Sequence, residues 1–200
     1  MHFDLVELIK AIGYIGVFLI VFAESGLFFG FFLPGDSLLF TAGFLASQGF
    51  FSFPVLALLC VVAAILGDSV GYAFGKRVGK ALFNRPDSRF FKRDHLLRAH
   101  GFYEKHGGKT LIIARFMPLV RTFAPIVAGT AEMTYRKFLA FNIIGGLLWG
   151  LGITTLGYVL GNTVPNIDKY IIPVLAIIIF ISILPPVLHV IHRRHADRKS

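Results

Sequence analysis

The chain has 200 residues, of which 56% are hydrophobic, and a formal net charge of +9. Apolar runs recur at the length of a bilayer crossing, and one soluble domain of this size could not bury so much apolar sequence, so the composition excludes an ordinary soluble protein. A single cysteine, Cys60, excludes an intrachain disulfide.

The N-terminal residues mix acidic and basic side chains with apolar ones. They lack the basic start and the small-residue cleavage site of a signal peptide, so we do not expect this segment to be removed. We predict that residues 1–12 form an interfacial amphipathic helix.

The apolar segment that follows is broken at Pro34 and Gly35 and carries the acidic residues Glu24 and Asp36. The arm after Asp36 has only eleven residues before the next polar stretch. As a helix this arm would be about 16 Å long, too short for a hydrocarbon core of ~30 Å. We therefore predict that residues 13–48 form a re-entrant hairpin that enters and leaves the membrane on one side.

Residues 53–76 form a mostly apolar segment long enough to cross a membrane, and we predict a transmembrane helix there. This segment carries Asp68, a third acidic side chain at membrane depth. Asp68 either joins Glu24 in a proton path or orients an arginine, and the sequence leaves both roles open.

The middle of the chain is basic, because residues 76–109 hold ten Lys or Arg against three acidic residues. Basic loops stay in the cytoplasm, so we predict that residues 77–109 are a cytoplasmic loop with an amphipathic helix on the membrane surface. A solvated connector is the alternative. Nucleic-acid binding is not expected, since the basic residues flank membrane segments and anionic headgroups explain them.

The second broken segment, residues 110–134, carries Arg115 and Arg121 around Pro118 and Pro125. Each charge near the bilayer centre costs roughly 2.5–3.5 kcal/mol on insertion scales, and prolines remove helix hydrogen bonds, so a lipid-facing span is unfavourable. We predict a second re-entrant hairpin, buried in protein or lining a wet cavity.

Two further apolar segments, residues 138–162 and 170–192, are predicted to be transmembrane helices. The tail, residues 193–200, holds four Lys or Arg against one acidic residue. We therefore predict that the C-terminus lies in the cytoplasm, on the same side as the basic loop.

The two halves of the chain resemble each other when the sequence is shifted by 86 positions. This shift aligns Ala42-Gly43 with Ala128-Gly129, and the motif GYAFG of the first half with GYVLG of the second. Each half then reads as a hairpin followed by a span, and the second copy enters from the opposite face. The predicted fold is an all-α polytopic membrane protein, an inverted repeat of re-entrant hairpin plus transmembrane helix with an extra C-terminal transmembrane helix.

The shift also aligns the two breaks, so their charged side chains are expected to meet near the middle of the membrane. Arginine binds phosphate oxygens through a planar fork, and broken helices point free N–H groups into the same cavity. We predict that Arg115 and Arg121 bind phosphate. The acidic residues that balance them or carry protons are Glu24, Asp36 and Asp68. A static cluster of buried ion pairs is the alternative.

The motifs FLPGDS, ARFMPLVR and APIVAG resemble the DedA family of bacterial inner-membrane proteins, as does the position of Glu24, twelve residues before Asp36 of the first motif. The family's domain is shared with eukaryotic lipid scramblases, and the resemblance covers roughly residues 15–165. It implies proton-gradient-dependent translocation of a lipid, either the phosphorylated polyprenyl carrier undecaprenyl phosphate or an aminophospholipid. It also implies that four residues match the family's essential positions: Glu24, Asp36, Arg115 and Arg121.

The predicted function is a flippase for a lipid with a phosphate in its headgroup, dependent on the proton-motive force. A proton-coupled carrier of small ions or solutes and a non-transporting protein of membrane homeostasis are the alternatives. An enzyme is not expected: Ser88-Arg89 and His95 partly match a lipid-phosphate phosphatase motif, but Ala99 stands where the orienting aspartate belongs. No cofactor or metal is expected. The expected partners are membrane lipids, and a homo-oligomer stays open.

Overall fold

The structure is a computed structural model of the chain, and it describes residues 5–27, 33–83 and 108–163. Within these residues all regular structure is helical and no strand occurs. The predicted C-terminal span, the basic tail and most of the predicted cytoplasmic loop lie outside the described residues.

Helix α1 runs from Leu5 to Gly26 and is interrupted at Gly13, whose φ of 59° and ψ of −158° are not helical. Glycine tolerates this conformation because it has no Cβ. The interruption coincides with the predicted junction between the interfacial helix and the first hairpin. The stretch Val6–Gly26 is long and apolar enough to cross a membrane.

Helix α2, Gly35–Ser47, begins directly after Pro34, where the sequence predicts the first break. Its 13 residues correspond to a length of about 20 Å, which is shorter than the hydrocarbon core. Helix α3, Phe53–Phe83, follows after a short turn and continues beyond the predicted end of the span. Its part Phe53–Val78 is long and apolar enough to cross a membrane.

The second broken segment is divided in a similar way. Helix α4, Lys109–Ala114, ends before helix α5, Pro118–Thr130, begins. Met117 lies between them in an extended conformation, as expected for a residue that precedes proline. Pro118 occupies the first helical position of α5, where its missing N–H leaves no helix hydrogen bond unmade.

The last described helices form one continuous rod. Helix α6, Tyr135–Gly146, passes through a π-helical segment, Leu147–Leu151, into helix α7, Gly152–Thr163. The whole stretch Tyr135–Thr163 is the third one in the described residues that is long and apolar enough to cross a membrane. The prediction of an all-helical membrane protein is therefore confirmed.

Helix packing brings the broken segments against the long helices. α1 and α5 both pack along α3, and α2 packs along α7. Glycines allow the backbones to approach closely: a Cβ on Gly43 of α2 would overlap the Thr154 carbonyl, and one on Gly75 of α3 would overlap that of Ile126. One apolar cluster joins α1, α2 and α3 around Trp149, and a second joins α4, α5 and α6 to Tyr72.

Candidate functional site

The guanidinium of Arg121 lies between two carboxylates. Its Nη1 donates to Oδ1 of Asp36 at 2.6 Å, and its Nη2 donates to Oε1 of Glu24. Glu24 has 0% exposure and Arg121 has 9%, so this cluster is almost fully shielded from solvent. Glu24 lies in the last turn of α1, Asp36 in the first turn of α2 and Arg121 in the first turn of α5. One arginine therefore connects both sides of the first break to the second broken segment.

Gly35 makes this arrangement sterically possible. The Glu24 carboxylate lies directly against the Gly35 Cα, and a Cβ at position 35 would overlap it. The adjacent Asp36 lies in the first turn of α2, where the helix dipole favours a negative charge. The sequence Pro-Gly-Asp thus starts α2, leaves room for Glu24 and places a second carboxylate beside it.

Arg115 caps the C-terminal end of α4 and is held by four acceptors. Nη1 donates to the backbone oxygen and to the side-chain Oδ1 of Asn142, both at 3.0 Å. Nη2 donates to the carbonyl of Ala64 at 3.1 Å and forms an ion pair with Oδ2 of Asp68 at 2.8 Å. These contacts involve both terminal nitrogens, so Arg115 is fixed to α3 and α6.

Asn142 holds the Arg115 site from its other side. Its amide nitrogen donates to the carbonyl of Ile65 at 3.0 Å, while its oxygen accepts from Arg115. Asn142 is 2% exposed and is surrounded in the sequence of its helix by the apolar residues Phe141 and Ile143. Asn142 therefore links the arginine to α3 as well as to its own helix, α6.

Trp149, in the π-helical segment, lies between the two arginines. The centroid of the Trp149 ring is 4.9 Å from the Cζ atom of Arg121 and 5.7 Å from the Cζ atom of Arg115. Both distances are within cation–π range. The indole N–H donates to Oδ1 of Asp36 at 2.7 Å. Trp149 therefore contacts three of the five charged residues and connects the Arg121 group to the Arg115 group.

A small cavity lies beside both arginines and has room for about one water molecule. Its lining residues come from α3, α4, α5 and α6 and are Asp68, Leu111, Arg115, Arg121, Ala124, Pro125, Phe138 and Asn142. The Nε of Arg121 and the hydroxyl of Thr122, the next residue in the chain, are buried and make no hydrogen bond to the described residues. Unmade buried hydrogen bonds cost roughly 1–3 kcal/mol each, so an acceptor from a ligand or a water molecule would be favourable here.

The structure brings all five predicted charged residues into two neighbouring groups. Arg121 contacts Glu24 and Asp36, and Arg115 contacts Asp68. The predicted break residues Pro34, Gly35 and Pro118 stand at helix starts, and Pro125 lies inside α5 and lines the cavity. In the described part of the chain, no group of three or more His, Cys, Asp or Glu residues is placed to hold a metal ion.

Sequence reasoning missed two residues of the site, Asn142 and Trp149. Each carried a signal: Asn142 is a polar residue within an apolar span, and Trp149 is the single tryptophan of the chain. Neither signal is specific enough to identify a partner, because polar residues in membrane helices commonly mediate helix contacts and tryptophan also occurs at membrane interfaces.

Residues 33–159 of the chain match the family model of the VTT domain. Protein DedA of Escherichia coli strain K12 is 48% identical over 208 aligned positions, which cover 100% of this chain and 94% of that protein. An uncharacterized membrane protein of Mycobacterium leprae is 47% identical, with 90% of this chain and 81% of the relative covered. Inner membrane protein YqjA of Escherichia coli is 41% identical, with 78% and 71% covered. No solved structure matches the chain.

Proposed function

This chain belongs to the VTT-domain family, also called the DedA family, and on that premise we propose that it moves a phosphate-bearing lipid headgroup between the leaflets of a membrane. The observation that carries the proposal is Arg121, a buried cation whose guanidinium, among the described residues, donates hydrogen bonds to carboxylates alone. Phosphate oxygens accept the same fork of N–H donors as carboxylates, so a phosphate can replace them on Arg121. Polyprenyl phosphate and an aminophospholipid are the proposed substrates.

The two arginines contribute to phosphate binding in different ways. The terminal nitrogens of Arg115 are already committed to α3 and α6, so this residue keeps its position and supplies positive charge. Arg121 supplies the N–H fork, because its partners are other side chains at the break that a ligand can displace. Both guanidinium groups face the same indole ring, which keeps the two positive charges close together.

The exchange of partners on Arg121 provides a physical reason for proton coupling. When Arg121 turns to a phosphate, Glu24 loses its cation inside a buried site, and a buried carboxylate without a partner is strongly disfavoured. Glu24 would then take up a proton. Asp36 keeps the hydrogen bond from Trp149 and Asp68 keeps its ion pair with Arg115, so neither of these carboxylates is left without a partner.

The helix contacts also support an inverted repeat. The hairpin arm α2 of the first half packs on α7 of the second half, while α5 of the second half packs on α3 of the first. Gly43 and Gly129, which the 86-position shift makes equivalent, each approach a backbone carbonyl of the opposite helix, that of Thr154 and that of Tyr72. In this proposal residues 13–48 and 110–134 are re-entrant hairpins.

The proposed location is a bacterial cytoplasmic membrane, with the basic loop and the C-terminus on the cytoplasmic side. The charge distribution supports this orientation, because basic segments are retained in the cytoplasm. The relative YqjA is named an inner membrane protein.

A proton-coupled carrier of small anions is the second candidate, and the size of the cavity supports it. The space beside Arg115 and Arg121 holds about one water molecule, so a small ion would need less opening of the site than a lipid headgroup.

Transport by the full chain in vesicles separates these candidates. We expect transbilayer movement of labelled polyprenyl phosphate or aminophospholipid, faster with an imposed proton gradient, and no uptake of inorganic phosphate. Uptake of inorganic phosphate without lipid movement would favour the small-anion carrier. Movement of neither would refute both transport functions.

A further inference from the structure

Trp149 occupies the centre of the charged site although it carries no charge. The flat face of its ring lies near both guanidinium groups, and its N–H reaches the carboxylate that Arg121 also binds. Oδ1 of Asp36 accepts from Nη1 of Arg121 at 2.6 Å and from the indole at 2.7 Å. The tryptophan thus fixes the distance between Arg121 and Asp36 through two different contacts.

The backbone around Trp149 supports a specific role for its placement. The residue is at the centre of the π-helical segment Leu147–Leu151, and single π-turns inside α-helices occur frequently at functional sites. The Gly150 carbonyl in this segment accepts from the Thr154 hydroxyl at 2.7 Å. A π-turn changes the direction in which the side chains in it and after it leave the helix. A regular α-helix through residues 147–151 would turn the indole to a different direction.

We infer that Trp149 is a positioning residue, which holds Arg121 and Asp36 in the arrangement that receives the anion; the identity of that anion rests on the proposed function. When a phosphate takes the N–H fork of Arg121, the indole face still lies under the guanidinium. The indole N–H stays on Asp36, which therefore does not lose all its donors at once. Trp149 therefore keeps Asp36, which has lost Arg121, and Arg121, which now binds the phosphate, in place during the exchange.

Tryptophan combines the two properties that this role requires. Phenylalanine would keep an aromatic face for the guanidinium but would lose the N–H donor to Asp36. Leucine would fill much of the space but would lose both the aromatic face and the N–H donor. The variants Trp149→Phe and Trp149→Leu therefore separate the hydrogen bond from the aromatic face.

The first test needs no lipid. Because the chain has a single tryptophan, the protein labelled with nitrogen-15 at the indole gives one side-chain resonance. We expect this resonance to move when Asp36→Asn removes the charged acceptor, and to stay unchanged in Glu7→Gln, a control on the exposed face of α1. An indole resonance whose chemical shift stays the same in Asp36→Asn would overturn the inference.

The second test measures binding of a polyprenyl phosphate to the full chain in lipid nanodiscs. We expect Trp149→Phe to weaken binding about fivefold, the effect of one lost hydrogen bond, and Trp149→Leu to weaken it further. Tyr158→Phe, an aromatic exchange away from the site, is the matched control. The loss in Trp149→Phe should shrink in the Asp36→Asn background, because Asp36→Asn already weakens the contact that Trp149→Phe removes.

The outcomes distinguish this inference from the proposed function. If the wild type prefers the phosphate over the corresponding alcohol but Trp149→Phe binds it equally well, the positioning role is wrong and the proposed function stands. If the wild type binds phosphate and alcohol equally, the proposed function is wrong. The indole resonance in Asp36→Asn then decides the positioning role without a ligand.

Discussion

Glu24 and Arg121 form a buried ion pair although 97 positions separate them in the chain. Glu24 comes from the end of α1 and Arg121 from the start of α5, so the contact joins the two broken segments. Removing one partner from such a pair costs roughly 3–5 kcal/mol, because a buried charge is left behind. A ligand that draws Arg121 away must therefore offset the cost of leaving Glu24 buried without its cation.

The proton-coupling role of Glu24 is tested by Glu24→Gln, which keeps the shape of the side chain and removes its charge. We expect accumulation of lipid driven by a proton gradient to disappear, while exchange without a gradient partly remains. The measurement is lipid movement in vesicles with and without an imposed gradient. Glu7→Gln, an exposed exchange on the same helix, is the control. Full gradient dependence in Glu24→Gln would remove this residue from the proton path.

The space at Gly35 is tested by Gly35→Ala. The added Cβ would overlap the Glu24 carboxylate and push it away from Arg121, so we expect lipid movement to be lost and the protein to unfold at a lower temperature. Gly152→Ala is the matched control, since a Cβ there meets no atom within 4 Å. The control should leave stability unchanged or raise it by up to about 1 kcal/mol. Equal activity and stability in both variants would contradict the packing described here.

The fixed position of Arg115 predicts that Arg115→Lys mainly affects stability. An ammonium group can keep Asp68 but cannot reach all four acceptors, and the buried carbonyls of Ala64 and Asn142 lose donors. We expect the free energy of unfolding to fall by about 2–5 kcal/mol. The exposed exchange Arg136→Lys on α6 should stay within about 0.5 kcal/mol of the wild type. The measurement is the free energy of unfolding of both variants by a chemical denaturant in the same detergent. An Arg115→Lys protein as stable as the wild type would contradict the fixed position of Arg115.

The proposed topology is tested by single cysteines in a Cys60→Ser background. We expect Phe90→Cys, in the basic loop, to react with an impermeant reagent only from the cytoplasmic side. Ser52→Cys, in the turn between α2 and α3, should react only from the opposite side. Labelling of position 90 from outside alone would overturn the orientation.

The sequence predicts both breaks and the five charged residues, because proline, glycine and charges at membrane depth have strong local consequences. Pro34 and Pro118 do stand at the starts of α2 and α5. The sequence also predicts that Arg115 and Arg121 lie on opposite sides of the break at Pro118. In the structure α4 ends at Ala114 and α5 begins at Pro118. Local chemistry was sufficient for these features.

The partners of each charge could not be predicted, because they depend on how distant helices cross. Asp68 of α3 pairs with Arg115, although α3 packs along α5, the helix that carries Arg121. The π-helical segment has no sequence signature that could have shown where Trp149 points. The role of Asn142 likewise depends on the close packing of α6 against α3.

The central claim, that Arg121 binds phosphate through its planar fork, is tested most directly by binding of a lipid phosphate and of its uncharged alcohol to wild type and Arg121→Lys. Lysine keeps the charge but cannot present two parallel N–H donors, so we expect the wild type to prefer the phosphate and the variant to lose about tenfold in phosphate affinity, or ~1.4 kcal/mol. Thermal unfolding of both proteins establishes that the variant is folded, and alcohol binding should not change. Equal binding of phosphate and alcohol by the wild type, or full phosphate affinity in folded Arg121→Lys, would contradict the account.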